Sequence, residues 1–329
     1  MTGVHNLVIQ SSHLKYEMSF SRNITVIQGD SATGKTTLID MVREFLLNGS
    51  DTGISLSCDC PCRVVEGNTW QEQLASIKGS IVFIDEGNRF VSSTDFAGMI
   101  RESDNYYVLV TREALDNLPY SVTEIYGIRS SGKFGVMEPV YHHMYRIYSD
   151  TIETLRSETG LVIVEDSNSG YDFFSKIADE AGINCVSSDG SGGIFNTIVN
   201  GKNKNGECIV VADGAAFGAQ MGRVYKLAEM LGNIRLYLPE SFEWIILSSN
   251  ILEDKEVRMI IENPSDYIDS EKYFSWERFF TSLLIEKSRD SWLKYSKTKL
   301  NPVYLQGKYK DKIISVLPMK IRECLKCDF

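Results

Sequence analysis

The sequence predicts an α/β protein with two parallel sheets in separate domains and a small helical extension at its C-terminal end. Three observations predict this class. Short apolar runs typical of buried parallel strands alternate with segments of helical character. One such run leads directly into a glycine-rich turn and a helix near the N-terminus. After about residue 150 the alternation begins again, which predicts a second sheet.

Length and composition are those of an intracellular globular protein. The chain has 329 residues, 43% of them hydrophobic, and is long enough for two or more domains. No run reaches the roughly 18 apolar residues of a membrane span, and no signal peptide is evident. We therefore expect a cytoplasmic location and no membrane partner. A net charge of −10 argues against a surface that is basic overall, as in many DNA-binding proteins.

The glycine-rich turn matches the phosphate-binding pattern GxxxxGK[ST] at residues 29–36, directly after the apolar run 24–27. Backbone N–H groups of such a turn wrap a polyphosphate, while Lys35 reaches the outer phosphates and the Thr36 hydroxyl ligates Mg²⁺. Strand, turn and helix agree, so we predict a P-loop NTPase domain that binds ATP with Mg²⁺. The predicted nucleotide-binding residues are Gly29, Asp30, Ser31, Ala32, Thr33, Gly34, Lys35, Thr36 and Thr37.

A second motif indicates the type of NTPase. The apolar run 80–84 ends in Asp85 and Glu86, which predicts a buried strand with two carboxylates at its C-terminal end. Nucleotide sites in open α/β sheets lie at that end. Asp85 is then placed to hold the Mg²⁺ shell, and Glu86 to orient or deprotonate the attacking water. The alternative is that this acidic pair merely caps the next helix.

A third strand, 106–110, is followed by Thr111 and Arg112. The strand that ends in Asp85 and Glu86 resembles the Walker B strand of P-loop ATPases. In P-loop ATPases with the extra catalytic glutamate, a polar residue at the end of the strand next to it senses the γ-phosphate. Thr111 occupies that place and joins Lys35 and Glu86 as a predicted catalytic residue, with Arg112 as a second candidate for stabilising charge. The sequence has no Leu-Ser-Gly-Gly-type signature, and the segment between the two motifs is too short for a coiled-coil insertion. This part therefore resembles a minimal P-loop ATPase and not a complete ABC-type or SMC-type head.

The second half carries its own acids at predicted strand ends. The run 161–164 ends in Glu165 and Asp166, a glycine-rich stretch follows the run 183–186, and the run 208–212 ends in Asp213. A fourth run, 234–238, is followed by residues 239–244, Pro-Glu-Ser-Phe-Glu-Trp. Short strands alternating with helical segments predict a second parallel α/β sheet with ligands at these ends.

These residues resemble a Toprim domain, the Mg²⁺-binding fold of topoisomerases, primases and OLD-family nucleases. The resemblance covers about residues 160 to 250 and implies that Glu165 and Asp213 hold a metal. A P-loop ATPase followed by Toprim also matches the domain order of the OLD family. That order implies an ATP-regulated protein acting on nucleic acid in mobile elements or phage defence.

One departure from the Toprim pattern matters. Toprim enzymes carry Asp-x-Asp after the third strand, whereas this chain has Asp213, Gly214 and Ala215. Two-metal cleavage needs several carboxylates, and Ala215 cannot bind metal. Glu165 and Asp213 provide ligands for one metal ion, with Asp166 as a third candidate acid. We therefore expect cleavage of nucleic acid to be weak or absent. In the alternative, a Rossmann-like structural domain, Glu165 and Asp213 cap helices.

Cysteines offer a further metal hypothesis. Cys58, Cys60 and Cys62 alternate and are predicted on one face of an extended strand, while Cys324 and Cys327 have zinc-ligand spacing. Neither group alone completes a tetrahedral site, so reduced thiols are the preferred interpretation. His142 and His143 have no acid or cysteine nearby at the spacing of metal ligands. They are predicted to lie on the surface of a loop or strand.

Predicted domains span 1–150 for the P-loop ATPase, 151–265 for the Toprim-like part and 266–329 for a basic, aromatic extension. That last segment has 13 Lys/Arg against 9 Asp/Glu and interleaves lysines with aromatics, as a nucleic-acid contact would. The preferred alternative is an amphipathic helix packing its aromatics on the protein body. If the segment does bind nucleic acid, the candidate phosphate contacts are Lys294, Lys297, Lys308 and Lys310.

Three functions stay open at this point. One is an ATP-hydrolysing regulator or nuclease acting on nucleic acid. Another is a nucleotide-switched module that binds a protein partner or forms a homo-oligomer, with an inactive Toprim-like domain. The last is a small-molecule kinase, which would need an arginine-rich lid that the sequence lacks.

Overall fold

The computed structural model of the chain describes residues 1–29, 34–130, 140–148, 158–200 and 206–327. It divides into two compact units, Met1–Ser149 with Pro264–Ser275, and Asp150–Asn263 with Trp276–Phe329. Each unit contains a β-sheet and helices, so the predicted α/β class is confirmed. No helix in these described ranges is long and apolar enough to cross a membrane.

The first unit is built mainly of strands. They are His5–Gln10 (β1), Leu14–Phe20 (β2), Ile24–Ile27 (β3), Ser55–Cys58 (β4), Cys62–Val64 (β5), Ile81–Ile84 (β6), Tyr106–Val110 (β7), Ile125–Ser130 (β8) and Val140–Arg146 (β9). The helices are Lys35–Asn48 (α1), Trp70–Ser76 (α2) and Thr94–Arg101 (α3). Short 3₁₀ turns lie at Gly49–Thr52, Arg89–Ser92, Val122–Glu124 and Pro264–Asp266.

In the described residues these strands form one sheet in the order β4-β1-β2-β9-β8-β3-β7-β6-β5. The segment β8-β3-β7-β6-β5 is parallel throughout, and β3, β6 and β7 are completely buried, as predicted. The sheet as a whole is mixed, because β1 pairs antiparallel with β2 and β4, and β8 with β9. Predicting a purely parallel sheet was therefore wrong. The alternating apolar and polar residues of β1 and β2 are typical of antiparallel strands.

This sheet must curl strongly. The strands β4 and β5 lie at its opposite edges, yet Cys58 ends one and Cys62 begins the other. Four residue steps span at most about 14 Å of extended chain. A flat sheet of nine strands would separate its edges by roughly 38 Å. The two edges therefore approach each other around a core that includes Leu7, Phe20 and Phe83.

A late segment of the chain completes the first unit. The amide of Gly3 donates to the carbonyl of Ser265, and the amide of Ser270 donates to the carbonyl of Met1. The N-terminal amine of Met1 also lies 3.3 Å from an Asp269 carboxylate oxygen. These bonds attach Pro264–Ser275 to the beginning of the chain.

The second unit contains a parallel sheet of Thr159–Val164 (β10), Asn184–Ser187 (β11), Glu207–Val211 (β12) and Ile234–Tyr237 (β13). In the described residues its order is β11-β10-β12-β13, and every pairing is parallel, as predicted. Its helices are Ser169–Glu180 (α4), Ser191–Asn200 (α5), Gly218–Leu231 (α6), Phe242–Ser248 (α7), Lys255–Glu262 (α8), Trp276–Ser288 (α9), Gly307–Ser315 (α10) and Met319–Cys324 (α11).

Candidate functional sites

The glycine-rich turn of the first unit leaves β3 and leads into α1. Gly29 and Gly34 have φ angles of +128° and +90°, which other residues rarely adopt. At Gly34 a Cβ atom would also lie 2.8 Å from the hydroxyl oxygen of Tyr16. Glycine is therefore required at this end of the turn. The predicted ligands Asp30, Ser31, Ala32 and Thr33 lie outside the described residues.

Lys35 connects the two ends of that turn. Its side chain is buried, and Nζ donates to the carbonyl oxygen of Gly29 at 2.8 Å. Thr36 and Thr37 follow it on the exposed first turn of α1, which contains no acidic residue. The positive end of the helix dipole is therefore not neutralised within this turn. The start of α1 therefore groups backbone N–H donors with the ammonium of Lys35 and the hydroxyls of Thr36 and Thr37.

The sheet order brings the other predicted residues to the same edge. Strand β7 pairs with β3 on one side and with β6 on the other. Thr111 follows β7, and its amide donates to the carbonyl of Ile27 at 3.2 Å. Thr111 therefore lies beside the start of the glycine-rich turn. Its buried hydroxyl accepts a hydrogen bond from the amide of Glu113 at 3.0 Å.

Asp85 and Glu86 follow β6 but have different surroundings. The Asp85 side chain is half-buried and accepts a hydrogen bond from the Glu86 amide at 2.8 Å, and burial raises the pKa of its carboxyl group. Glu86 is more exposed and forms a 2.6 Å ion pair with Arg112. Neither acid caps α3, because the hydroxyl of Ser93 accepts from the Phe96 amide there. The capping alternative does not hold for that helix.

His142 corrects one prediction. The structure buries this residue on β9 and stacks its ring on Tyr16, with 4.5 Å between the ring centroids. Burial lowers the pKa of its imidazole. Predicting a surface position was therefore wrong for His142 but right for His143, which is exposed. The cause is strand alternation, which turns Val140 and His142 to the core and Tyr141 and His143 to solvent.

In the second unit, Glu165 and Asp213 lie together. They follow the neighbouring strands β10 and β12, and the Asp213 amide donates to Oε2 of Glu165 at 2.8 Å. Oδ1 of Asp213 accepts from the Phe242 amide at the start of α7, at 3.2 Å. Within the described chain, Glu165 Oε1 and Asp213 Oδ2 have no hydrogen bond. One oxygen of each acid therefore stabilises the backbone and the other is available to a ligand.

Asp166 and Ala215 are less suited to metal binding. Oδ1 of Asp166 accepts from the Tyr171 amide at 2.8 Å, so this carboxylate caps the first turn of α4. Ala215 is buried, and its amide donates to the carbonyl of Glu240. In the described residues, Glu165 and Asp213 do not belong to a group of three potential metal ligands whose donor atoms all lie within 4.8 Å of one another.

Further polar residues surround this pair, and sequence reasoning did not connect any of them with it. Glu243 on α7 is buried and accepts a hydrogen bond from the Tyr295 hydroxyl at 2.8 Å. Lys297 forms an ion pair with Glu277 on α9. The Ser169 amide donates to the carbonyl of Lys297, which fixes the segment after α9 against α4. No local pattern signals these contacts, because the paired residues lie at least 20 positions apart along the chain.

The grouped acids disturb each other's ionisation. Burial raises the pKa of Glu165 to about 7, with the charges of Glu277 and Asp166 adding to the effect. Burial also raises the pKa of Asp213 well above its usual range, helped by Glu277, Glu165 and Glu243. Burial alone would lower the pKa of Lys297, but the surrounding carboxylates raise it above its usual range. This cluster of carboxylates therefore favours the binding of a cation or of protons.

Two spaces adjoin these residues. A cavity of about 20 Å³ is lined by Glu165, Asp166 and Asp213 together with apolar side chains, and is large enough for a single water molecule. An open groove of about 490 Å³ runs along α9 and includes Glu277, Arg278, Arg289 and Lys297. The lining of this groove contains three cationic and two acidic side chains, and Lys297 is paired with one of the acids, Glu277.

The cysteines are arranged differently from the prediction. Cys58 and Cys62 belong to different strands, so the three thiols do not share one strand face. Cys58 Sγ nevertheless lies 3.7 Å from Cys60 Sγ. In the described chain, one trio of metal-binding side chains has donor atoms within 4.8 Å of one another, namely His5, Asp59 and Cys60. Cys324 and Cys327 lie in the second unit.

Lysines of the C-terminal segment are partly engaged with acids. Lys310 pairs with Glu180 at 2.7 Å, in addition to the pair between Lys297 and Glu277. Lys294 and Lys308 are exposed. Tyr295 is buried, but no single amphipathic helix carries these residues, since α9 ends at Ser288 and α10 begins at Gly307. Packing thus accounts for part of the aromatic and basic pattern.

No protein-family model matches the chain, and comparison with curated proteins finds no significant match either.

Proposed function

We propose that this protein binds and hydrolyses ATP at the end of the parallel strands of its first unit, and that the second unit binds Mg²⁺ and nucleic acid. The observation that carries the proposal is the strand order β3-β7-β6, with Lys35, Thr111 and Asp85 at the same edge. Ligands of open α/β sheets bind at this edge.

Each residue has a defined role in phosphoryl transfer to water. The turn amides and Lys35 neutralise the phosphates, so the ammonium leaves the Gly29 carbonyl when the nucleotide binds. Thr36 and Asp85 are the residues that would hold Mg²⁺, and the ion would supply charge neutralisation for the phosphates. Glu86 orients the attacking water, and Thr111 contacts the outer phosphate from the neighbouring strand.

Calorimetry with MgATP and a phosphate-release assay test this proposal. Lys35→Ala should weaken ATP binding by at least about 100-fold, as expected for loss of a charge-assisted contact to phosphate. Lys78→Ala is the matched control, because Lys78 is an exposed lysine of the same unit. Equal ATP affinity in wild type and Lys35→Ala would refute the proposal.

Support for the second half of the proposal comes from the acids of the second unit. Glu165 and Asp213 each offer one oxygen to Mg²⁺, and Lys297 lies among the same carboxylates, next to a groove with two arginines. Such a site is suited to a phosphodiester group held by metal and cations. With Ala215 in place of a further acid, metal-dependent binding should exceed cleavage.

Labelled DNA and RNA with Mg²⁺ or Mn²⁺ provide the test. Asp213→Asn should remove metal-dependent binding, whereas Asp179→Asn, a change in an exposed acid of α4, should not. ATP hydrolysis should persist in both variants, since the acids belong to different units. If wild type binds neither nucleic acid at low salt, the nucleotide-switched interaction module is the better description. That alternative is favoured because, in the described residues, Glu165 and Asp213 are not part of a compact group of three potential metal ligands.

A further inference from the structure

Four potential metal ligands meet where β1 begins and β4 ends. The two strands are antiparallel, and Leu7 pairs with Cys58. Continuing this register by two residues sets Cys60 opposite His5, on the same face of the sheet as Leu7 and Cys58. Asp59 lies between the two cysteines. A nitrogen, an oxygen and two sulfur donors therefore converge from two parts of the chain.

Their distances approach those of a tetrahedral zinc site. Cys58 Sγ lies 3.7 Å from Cys60 Sγ and 3.7 Å from Asp59 Oδ1. With a Zn–S bond of about 2.3 Å, two sulfurs of a tetrahedron are about 3.8 Å apart. The donors of His5, Asp59 and Cys60 all lie within 4.8 Å of one another. Cys58 lies outside that trio but is in contact with two of its members, which makes it the candidate for the fourth donor.

The imidazole of His5 is oriented for coordination. Its Nε2 lies 3.1 Å from the carbonyl oxygen of Thr2, which accepts but cannot donate. Nε2 therefore carries a proton, and in the neutral ring Nδ1 has the lone pair. Nδ1 faces Oδ2 of Asp59 at 2.8 Å, so a proton or a cation must lie between them. Histidine ligands of zinc commonly donate their second N–H to a carbonyl in this way.

Burial and packing hold the sulfurs in place. Cys58 and Cys60 are half-buried and pack against the core of the first unit, to which Cys62 also belongs. Burial, with the neighbouring Cys58 and Asp59, raises the pKa of the Cys60 thiol to about 12. A divalent cation would offset the cost of ionising this thiol.

We propose that His5, Cys58, Asp59 and Cys60 bind one Zn²⁺ ion. Coordination releases the thiol protons of Cys58 and Cys60 and the proton shared by His5 and Asp59 to solvent. The ion would join β1 to β4 at the turn that leads to β5, where the two edges of the curled sheet approach. Its role is structural, because all four positions of the tetrahedron are filled by protein.

Zinc binding to the full-length protein is the direct test. The protein is reduced, stripped with a chelator and titrated with zinc chloride against a chromophoric chelator. One ion per chain is expected. Cys60→Ser and His5→Gln should each weaken the affinity by more than about 100-fold, beyond the 10- to 100-fold typical of outer-shell partners. Cys185→Ser, a change in a half-buried thiol of β11 in the second unit, should have no effect.

Cobalt(II) gives a readout that does not depend on how the variants fold. Wild type with one equivalent of cobalt should show the intense d–d bands of tetrahedral coordination and a thiolate charge-transfer band. An octahedral spectrum, stoichiometry well below one, or equal loss of affinity in Cys185→Ser would overturn the proposal. So would a Cys58–Cys60 disulfide found by alkylation and mass spectrometry in protein isolated under reducing conditions.

Discussion

Glu86 and Arg112 form an ion pair of 2.6 Å across the ends of the neighbouring strands β6 and β7. The pair joins two residues that the sequence links separately to catalysis. Because its arginine is more than half exposed, the pair contributes little to stability, about 0.2–1 kcal/mol. The pair matters for the proposed function, because the Glu86 carboxylate must turn away from the Arg112 guanidinium to orient a water molecule.

Glu86→Gln should bind MgATP with nearly unchanged affinity but hydrolyse it about 10²- to 10⁴-fold more slowly. The amide keeps the shape of the side chain and loses the base. Phosphate release and calorimetry on the same preparation measure both quantities. Arg112→Gln is the matched variant and should shift the free energy of unfolding by less than about 1 kcal/mol. Full turnover in Glu86→Gln would rule out the assigned role.

Gly34→Ala should destabilise the protein by about 1–3 kcal/mol. The added Cβ meets the Tyr16 hydroxyl at 2.8 Å, and alanine is strained at a φ of +90°. Tyr16→Phe in the same chain should recover only the part that is due to the contact. Gly98→Ala serves as control, because its Cβ meets nothing within 4 Å in α3. Urea denaturation should show no loss of stability for that control, and an equal loss in both alanine variants would contradict the argument.

Stability should fall between about pH 4.5 and 7 as Glu165 ionises. Its pKa is raised to about 7 in the folded protein from 4.5, so the folded state binds more protons in this range. The stabilisation is complete below pH 4.5 and is lost as the pH rises through about 7. The amplitude should be on the order of 2 kcal/mol, less than the full shift implies, because solvent reaches the carboxylate.

Glu165→Gln should remove this dependence, measured by chemical denaturation in a chelating buffer. Glu180→Gln is the control, since Glu180 pairs with Lys310 on the surface and the pKa of its carboxyl is lowered. Identical pH profiles for Glu165→Gln and wild type would show that burial does not perturb this group.

Tyr295→Phe should cost about 1–3 kcal/mol of stability. The variant deprives buried Glu243 of the hydroxyl that donates to it at 2.8 Å, leaving a buried acceptor without its donor. Tyr304→Phe is a close comparison, because that hydroxyl donates to the neutral carbonyl of Leu293 at 2.5 Å. We expect a smaller loss there, about 0.5–1.5 kcal/mol. Equal losses in thermal or urea unfolding would show that the carboxyl partner has no special effect.

Local patterns predicted much of the fold. The runs that form β3, β6 and β7 are short, apolar and followed by polar residues, and each is a buried parallel strand. The antiparallel strands β1 and β2 were not predicted, because their apolar and polar residues alternate and form no continuous apolar run. His142 was misplaced for the same reason, since its neighbours alternate between core and solvent.

The sequence by itself determined the α/β class, the buried strands and the glycine-rich turn. The first two depend on hydrophobic periodicity, and the turn depends on backbone angles that the local residues set. Only the tertiary structure decided which side chains meet. Glu243 and Tyr295 are 52 positions apart and His5 and Asp59 are 54 apart, yet each pair is joined by a hydrogen bond of 2.8 Å. Such contacts arise when packing closes long loops, and no local pattern encodes where those loops return.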